Sequence, residues 1–163
     1  MNFKLTFTPD DIYYREAYAE LISLKKLKKF EPLFAVILFF FGIGLYYFDN
    51  NHVLWILPFF FIIMGIYEFF KIYYEKHKWL KERNGSRLIG QHNEFEFTDD
   101  TIHHRGPFSI GEMKWQSLKA IKKTNKGIVL KLESGMSMYL SDSFFAEKDE
   151  IDFILSRAKL LPE

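Results

Sequence analysis

Three histidines are the side chains in this sequence that most resemble a metal site. They are His92, His103 and His104, and imidazole is the commonest transition-metal ligand in proteins. His103 and His104 fall in a stretch with strand-like alternation, where adjacent side chains point to opposite faces. The pair cannot easily serve one ion without a bulge, so we expect ordinary surface or half-buried histidines and no metal site.

The sequence contains none of the short motifs that carry a known catalytic mechanism, such as GxxxxGK[ST], GxSxG, HExxH or an EF-hand loop. The acidic pairs Asp99-Asp100 and Asp149-Glu150 fall at a predicted turn and in the first turn of a predicted helix. In both places carboxylates stabilise structure without catalysing a reaction. With Cys 0 the chain has no thiolate nucleophile and no disulfide framework. We therefore predict that it is not an enzyme and needs no cofactor.

Two charged features accompany a long apolar block. Glu68 lies near one end of the block with Lys71 three residues later, within pairing reach on a helix. An intramembrane carboxylate is a candidate functional group, although a carboxylate at the interface that reaches water is the simpler interpretation.

A basic cluster of Lys25, Lys26, Lys28 and Lys29 precedes the block. Together with Lys71, it could bind anionic lipid head groups at about 1 kcal/mol per residue, or act only as a topology signal.

The apolar block itself consists of Leu33 to Phe48 and Val53 to Phe70, separated by the polar link Asp49 to His52. Each run is close to the ~20 apolar residues that a helix needs to cross a bilayer. We predict a two-helix transmembrane hairpin over 30–74, with spans 33–48 and 53–72. Gly42, Gly44 and Gly65 are small enough to let the helices approach closely. The alternative is a hairpin buried in a soluble bundle, but neither run has the polar stripe of a soluble helix.

The distribution of lysine and arginine predicts the orientation of this hairpin. The link has neither residue, whereas both flanks are rich in them, from Lys25 to Lys29 and from Lys71 to Arg83. By the positive-inside rule, both termini are cytoplasmic and the protein is multi-pass. The formal net charge of +1 gives no field that favours nucleic acid.

The flanks predict the rest of an α+β protein. Residues 1–29 indicate a strand, through Phe3, Leu5 and Phe7, and an amphipathic helix capped by Thr8 and extending from Ile12 to Phe30. Residues 75–90 are a helical extension and linker. Residues 91–163 form a cytoplasmic antiparallel β-domain. Its predicted strands include 93–97, 101–105 and 108–110, and its predicted C-terminal helix is 147–160. Trp115 is the expected core anchor.

The order of these elements resembles that of the YcxB-like family of small bacterial membrane proteins. The resemblance rests on the layout and on four stretches: Phe95 to Ile102, Gly111 to Ile121, Ile128 to Leu132 and Met138 to Leu140. It implies a two-helix anchor in the bacterial inner membrane carrying a β-domain similar to a pleckstrin-homology-type half-barrel capped by a helix. It implies no catalytic residues. In place of the basic residue that often follows the last strand in this family, the chain has Ser141-Asp142-Ser143.

Three functional hypotheses follow, each with membrane lipids as one partner. The first is a membrane-anchored binding or regulatory module whose β-domain presents an edge strand or loop to a peptide, protein or lipid partner at the inner face of the membrane; a protein partner of unknown identity is expected. The second is an immunity protein that neutralises a membrane-targeting toxin through its hairpin. The third is a small transporter or channel subunit. It would have to be a homo-oligomer, because two helices without a buried polar series cannot line a pathway.

Overall fold

The computed structural model describes residues 1–48 and 56–160 and divides the chain into two compact units. The first, which we call the β unit, consists of Met1–Leu21 and Glu82–Glu163. The second, the hairpin unit, is Ile22–Lys81. The chain therefore leaves the β unit early and returns to it after the hairpin. The sequence analysis placed residues 1–29 and 91–163 in separate segments, whereas the first strand pairs with the C-terminal part.

The β unit contains two antiparallel sheets. The first sheet has the order β1 (Phe3–Phe7), β2 (Asn93–Phe97), β3 (Thr101–Arg105) and β4 (Ile110–Lys114). The second has the order β5 (Leu118–Lys123), β6 (Gly127–Leu132) and β7 (Ser137–Ser141). The predicted α+β class and antiparallel pairing are confirmed.

The alternating patterns located several strands correctly. β1, β2 and β3 lie where the sequence predicts them. The third strand of the C-terminal segment was predicted at 108–110 but begins at Ile110, because a tight turn occupies Pro107 and Phe108. A short 3-10 turn, Trp115–Ser117, then leads into β5.

The two helices of the β unit are shorter than predicted. α1 is Asp11–Ser23, and its cap is Asp10, whose Oδ1 accepts a hydrogen bond from the Tyr13 N–H at 2.7 Å. The predicted cap at Thr8 and the predicted continuation to Phe30 are therefore wrong. α4 is Lys148–Ser156, begun by a capping box between Glu147 and Glu150. A 3-10 turn, Arg157–Leu160, follows it.

The core of the β unit is built from the inward side of both sheets and from α4. Phe3 lies opposite Phe97 and Leu5 opposite Phe95 in the β1–β2 register. Phe97 and Ile154 of α4 are fully buried, so the last helix closes the core, as its apolar face predicts.

The hairpin unit contains α2 (Glu31–Phe48) and most of α3 (Ile56–Asn84). Among the described residues, Lys28–Phe48 and Ile56–Asn84 are long and apolar enough to cross a membrane. Only 11% of each apolar window is buried, whereas the core helix of a soluble protein is mostly buried. The predicted link, Asp49 to His52, and residues 53–55 of the predicted second span lie outside the described residues.

Candidate functional site

The outward side of the four-stranded sheet carries charged side chains around a cavity of about 220 Å³. The period-2 alternation of β1 and β2 produces this arrangement, because Phe side chains point inward and the residues between them point outward. We call this surface the charged face. Its lining includes Lys4, Glu94, Glu96, His103, Arg105 and Ile110.

Ion pairs organise the charged face. Lys4 Nζ lies 3.1 Å from Glu94 Oε1 and 3.6 Å from Glu96 Oε2. The hydrogen bond from Lys4 lowers the pKa of Glu94, and the same contact raises the pKa of Lys4. Both shifts favour the charged forms of Lys4 and Glu94, which suits binding to a complementary polar surface better than proton transfer.

The three histidines singled out in the sequence differ in their surroundings. The His104 ring packs against Phe95 with centroids 4.7 Å apart, and its burial lowers its pKa. His103 lies on the charged face, with Nε2 3.0 Å from Thr101 Oγ1, while His92 is exposed. Both His103 and His104 line the cavity of the charged face.

A polar junction joins α1 to the three-stranded sheet. The Glu16 carboxylate accepts hydrogen bonds from the Tyr139 hydroxyl at 2.6 Å and the Ser141 hydroxyl at 2.8 Å. The Tyr139 bond contributes most to lowering the pKa of Glu16. The Tyr13 hydroxyl donates to the Tyr139 carbonyl at 2.8 Å. The sequence does not predict this junction, because no local pattern links residues more than a hundred positions apart.

Two of the three glycines singled out in the apolar runs lie where α2 and α3 approach closely. A Cβ on Gly42 would come within 2.7 Å of the Pro58 carbonyl, and one on Gly65 within 2.8 Å of the Phe39 nitrogen. Such distances leave no room for a side chain. Gly44 has nothing within 4 Å of its Cβ position, so it takes no part in this contact.

The charged side chains of the hairpin unit pair with one another. Lys71 Nζ lies 3.1 Å from Glu68 Oε2, and the Glu68 side chain is 17% exposed. Lys28 forms an ion pair with Glu75 of α3. Lys25, Lys26 and Lys29 are exposed, and the Lys29 ammonium also lies 4.8 Å from the Phe30 ring centroid. Within the predicted basic cluster, Lys28 thus has a partner in the protein and three lysines face outward.

Trp115 lies in the core of the β unit. It is 1% exposed, and its indole N–H donates to the Thr98 carbonyl at 3.0 Å. The bond satisfies the one polar atom of the side chain, so Trp115 connects the 3-10 turn after β4 to the β2–β3 turn.

Within residues 1–48 and 56–160, no three histidine, aspartate or glutamate side chains lie together as metal ligands would. No family model, no curated protein and no solved structure matches the chain. The chain's own geometry is therefore the basis for assigning its function.

Proposed function

We propose that this chain is a non-enzymatic integral protein of the bacterial inner membrane that displays its β unit to a cytoplasmic protein partner. The observation that carries the proposal is the pairing of β1 with β2, which lie on opposite sides of the hairpin in the sequence. A sheet cannot form through a bilayer. Both flanks of the hairpin must therefore fold on the same side of the membrane.

The cytoplasmic side follows from charge. The link between the apolar runs has no lysine or arginine, whereas Lys25, Lys26, Lys28 and Lys29 precede the first run and Lys71 follows the second. This asymmetry favours a cytoplasmic β unit. The three outward lysines would face anionic lipid head groups.

Membership of the YcxB-like family and a pleckstrin-homology-like fold are part of this proposal. Two facing antiparallel sheets of four and three strands, followed by a helix that enters the core, support such a half-barrel. In this interpretation the hairpin is an insertion between the first and second strands.

The charged face is the surface that we assign to the partner. It combines a cavity of about 220 Å³ with fixed charges of both signs. Lys4 is already oriented by Glu94 and Glu96, which lowers the entropic cost of binding a complementary polar surface.

Cysteine labelling of the full chain tests the orientation, because the sequence has Cys 0. Asp152→Cys is exposed on α4. We expect it to resist a membrane-impermeant thiol reagent in spheroplasts and to react after lysis. Asn51→Cys, in the link, should react in both. Labelling of Asp152→Cys from outside, or release of the chain by alkaline washing, would overturn the proposal.

Photo-crosslinking in native membranes tests the binding surface. A photoreactive residue at Arg105, on the charged face, should give a protein adduct, and one at Asp152 should not. The adduct should decrease at least tenfold with Lys4→Glu. Adducts formed only from Phe40, in α2, would instead favour a hairpin that binds a toxin.

A further inference from the structure

The four edge strands of the two sheets differ in how they are covered. The Asp142–Phe144 turn packs beside β1, and α4 packs beside β5. The edge of β7 is covered by α1, whose Tyr13 hydroxyl binds the Tyr139 carbonyl. Among the strands that the structure describes, β4 pairs only with β3. An open edge strand is a template for another chain, and proteins usually cover or blunt it.

The hydrogen-bond pattern between β3 and β4 shows which backbone groups of β4 point away from β3. The Gly106 N–H donates to the Ser109 carbonyl at 2.8 Å, so this pair is hydrogen-bonded. Because bonded and non-bonded pairs alternate, Ile110, Glu112 and Lys114 direct their N–H and C=O groups away from β3. The Lys114 carbonyl accepts a bond from the Ser117 hydroxyl at 2.7 Å, which agrees with this alternation. In the described part of the chain, the outward groups of Ile110 and Glu112 have no partner.

The edge carries exposed apolar side chains among charged ones. Ile110 is 78% exposed and Phe108 is 64% exposed, whereas Glu112 and Lys114 are charged and exposed. Nothing lies within 4 Å of the Cβ position of Gly111. A strand beside this edge would cover Ile110 and would meet no side chain at Gly111.

We propose that β4 pairs antiparallel with β4 of a second copy of this chain, with Gly111 facing its own counterpart across a two-fold axis. In this register Ile110 of each copy lies opposite Glu112 of the other. The outward N–H and C=O groups of Ile110 and Glu112 in both copies are then used. The hydrogen bonds between the two copies end before Lys114, whose carbonyl already accepts a bond from the Ser117 hydroxyl. The Ile110 side chain becomes covered by the second copy.

The shortness of the segment favours a second copy over a free peptide. Four backbone hydrogen bonds hold a free peptide weakly, whereas two chains anchored in one membrane meet at high effective concentration. This step depends on the membrane anchor of the proposed function. The pairing shares Ile110 and Gly111 with the lining of the charged face, so it covers one margin of that surface.

Disulfide trapping of the full chain in isolated native membranes tests the pairing. Facing residues of a non-hydrogen-bonded pair have Cα atoms about 4.5 Å apart, which a disulfide can span. The φ of Gly111 lies outside the left-handed region, so Gly111→Cys is unstrained. Ser109→Cys is the matched control. It is also exposed, but in this register the two copies of residue 109 are about 14 Å apart along the strands.

Under mild oxidation we expect at least tenfold more covalent dimer from Gly111→Cys than from Ser109→Cys. Adding Glu112→Pro removes an outward N–H and no bond to β3, so the dimer should fall at least tenfold. Adding Glu112→Ala, which keeps the N–H, should preserve it. Equal trapping at both positions, or trapping unaffected by Glu112→Pro, would overturn the pairing. If the chain then still sediments with membranes and labels as expected at Asp152→Cys, the proposed function stands without it.

Discussion

The β unit and the hairpin unit use phenylalanine in opposite ways. Phe95 and Phe97 of β2 are 4% and 0% exposed. Phe40 of α2 is 63% exposed and Phe60 of α3 is 53% exposed. The β unit buries its rings against one another, whereas the hairpin unit directs most of them outward. The first arrangement suits water outside the unit, and the second suits lipid.

The same contrast appears in what holds each unit together. In the β unit, large side chains such as Trp115 fill a closed core. In the hairpin unit, the closest contacts are made where side chains are absent, at Gly42 and Gly65. In the proposed membrane location, no hydrophobic driving force acts between the helices, so close packing of the backbones contributes to holding them together. Truncating a large side chain should therefore destabilise the β unit most, whereas adding a side chain at a contact glycine should destabilise the hairpin unit most.

The largest effect should come from Trp115→Ala. Loss of a fully buried aromatic side chain costs about 3–5 kcal/mol, so pulse proteolysis of the detergent-solubilised chain in urea should cleave the β unit at much lower urea. Phe40→Ala is the matched change on the outward side of the hairpin and should cost about 0.5 kcal/mol or less. Equal costs at the two positions would contradict the contrast between the units.

An intermediate effect should come from adding volume at the helix contact. Gly65→Leu must displace the Phe39 backbone and should destabilise the hairpin by about 1–3 kcal/mol. Circular dichroism during titration with a denaturing detergent measures this. Gly44→Leu enters open space and should leave the midpoint within experimental error. A similar loss from both variants would show that the contact is not made at Gly65.

The smallest effect should come from the polar junction between α1 and β7. At pH 7, Glu16→Gln should destabilise the β unit by about 1 kcal/mol, because it weakens charge-assisted hydrogen bonds. Folding lowers the pKa of Glu16 from its ordinary 4.5. The stabilisation is therefore present above pH 4.5 and is lost as the pH falls through the folded pKa. Urea denaturation at a series of pH values from 7 downward should show the difference in unfolding free energy between wild type and Glu16→Gln shrinking below pH 4.5. A difference that stays constant as the pH falls would contradict the role assigned to the charge.

Local patterns in the sequence predict where many of the strands and helices lie, but they do not predict which elements lie beside one another. The alternation through Phe3, Leu5 and Phe7 predicts β1, yet it carries no information about which strand lies beside it. Which strand forms the open edge, and which residues Glu16 contacts, both depend on how the elements are arranged in space, so neither could be predicted. α1 ends at Ser23 although no glycine or proline occurs between Asp10 and Glu31, which leaves its end without a local signal. The Glu68–Lys71 spacing, by contrast, predicts a contact that the structure contains.

The pairing of β1 with β2 also sets an order of events during synthesis. Asn93 follows Phe7 by 86 positions, so at 5–20 residues per second the first strand waits roughly 4–17 s for its neighbour. Both apolar helices leave the ribosome in that interval. A chain that stalls or is cleaved between them and Asn93 would leave Phe3 and Leu5 without a sheet to join, so the β unit can complete its fold only after both apolar helices have been made.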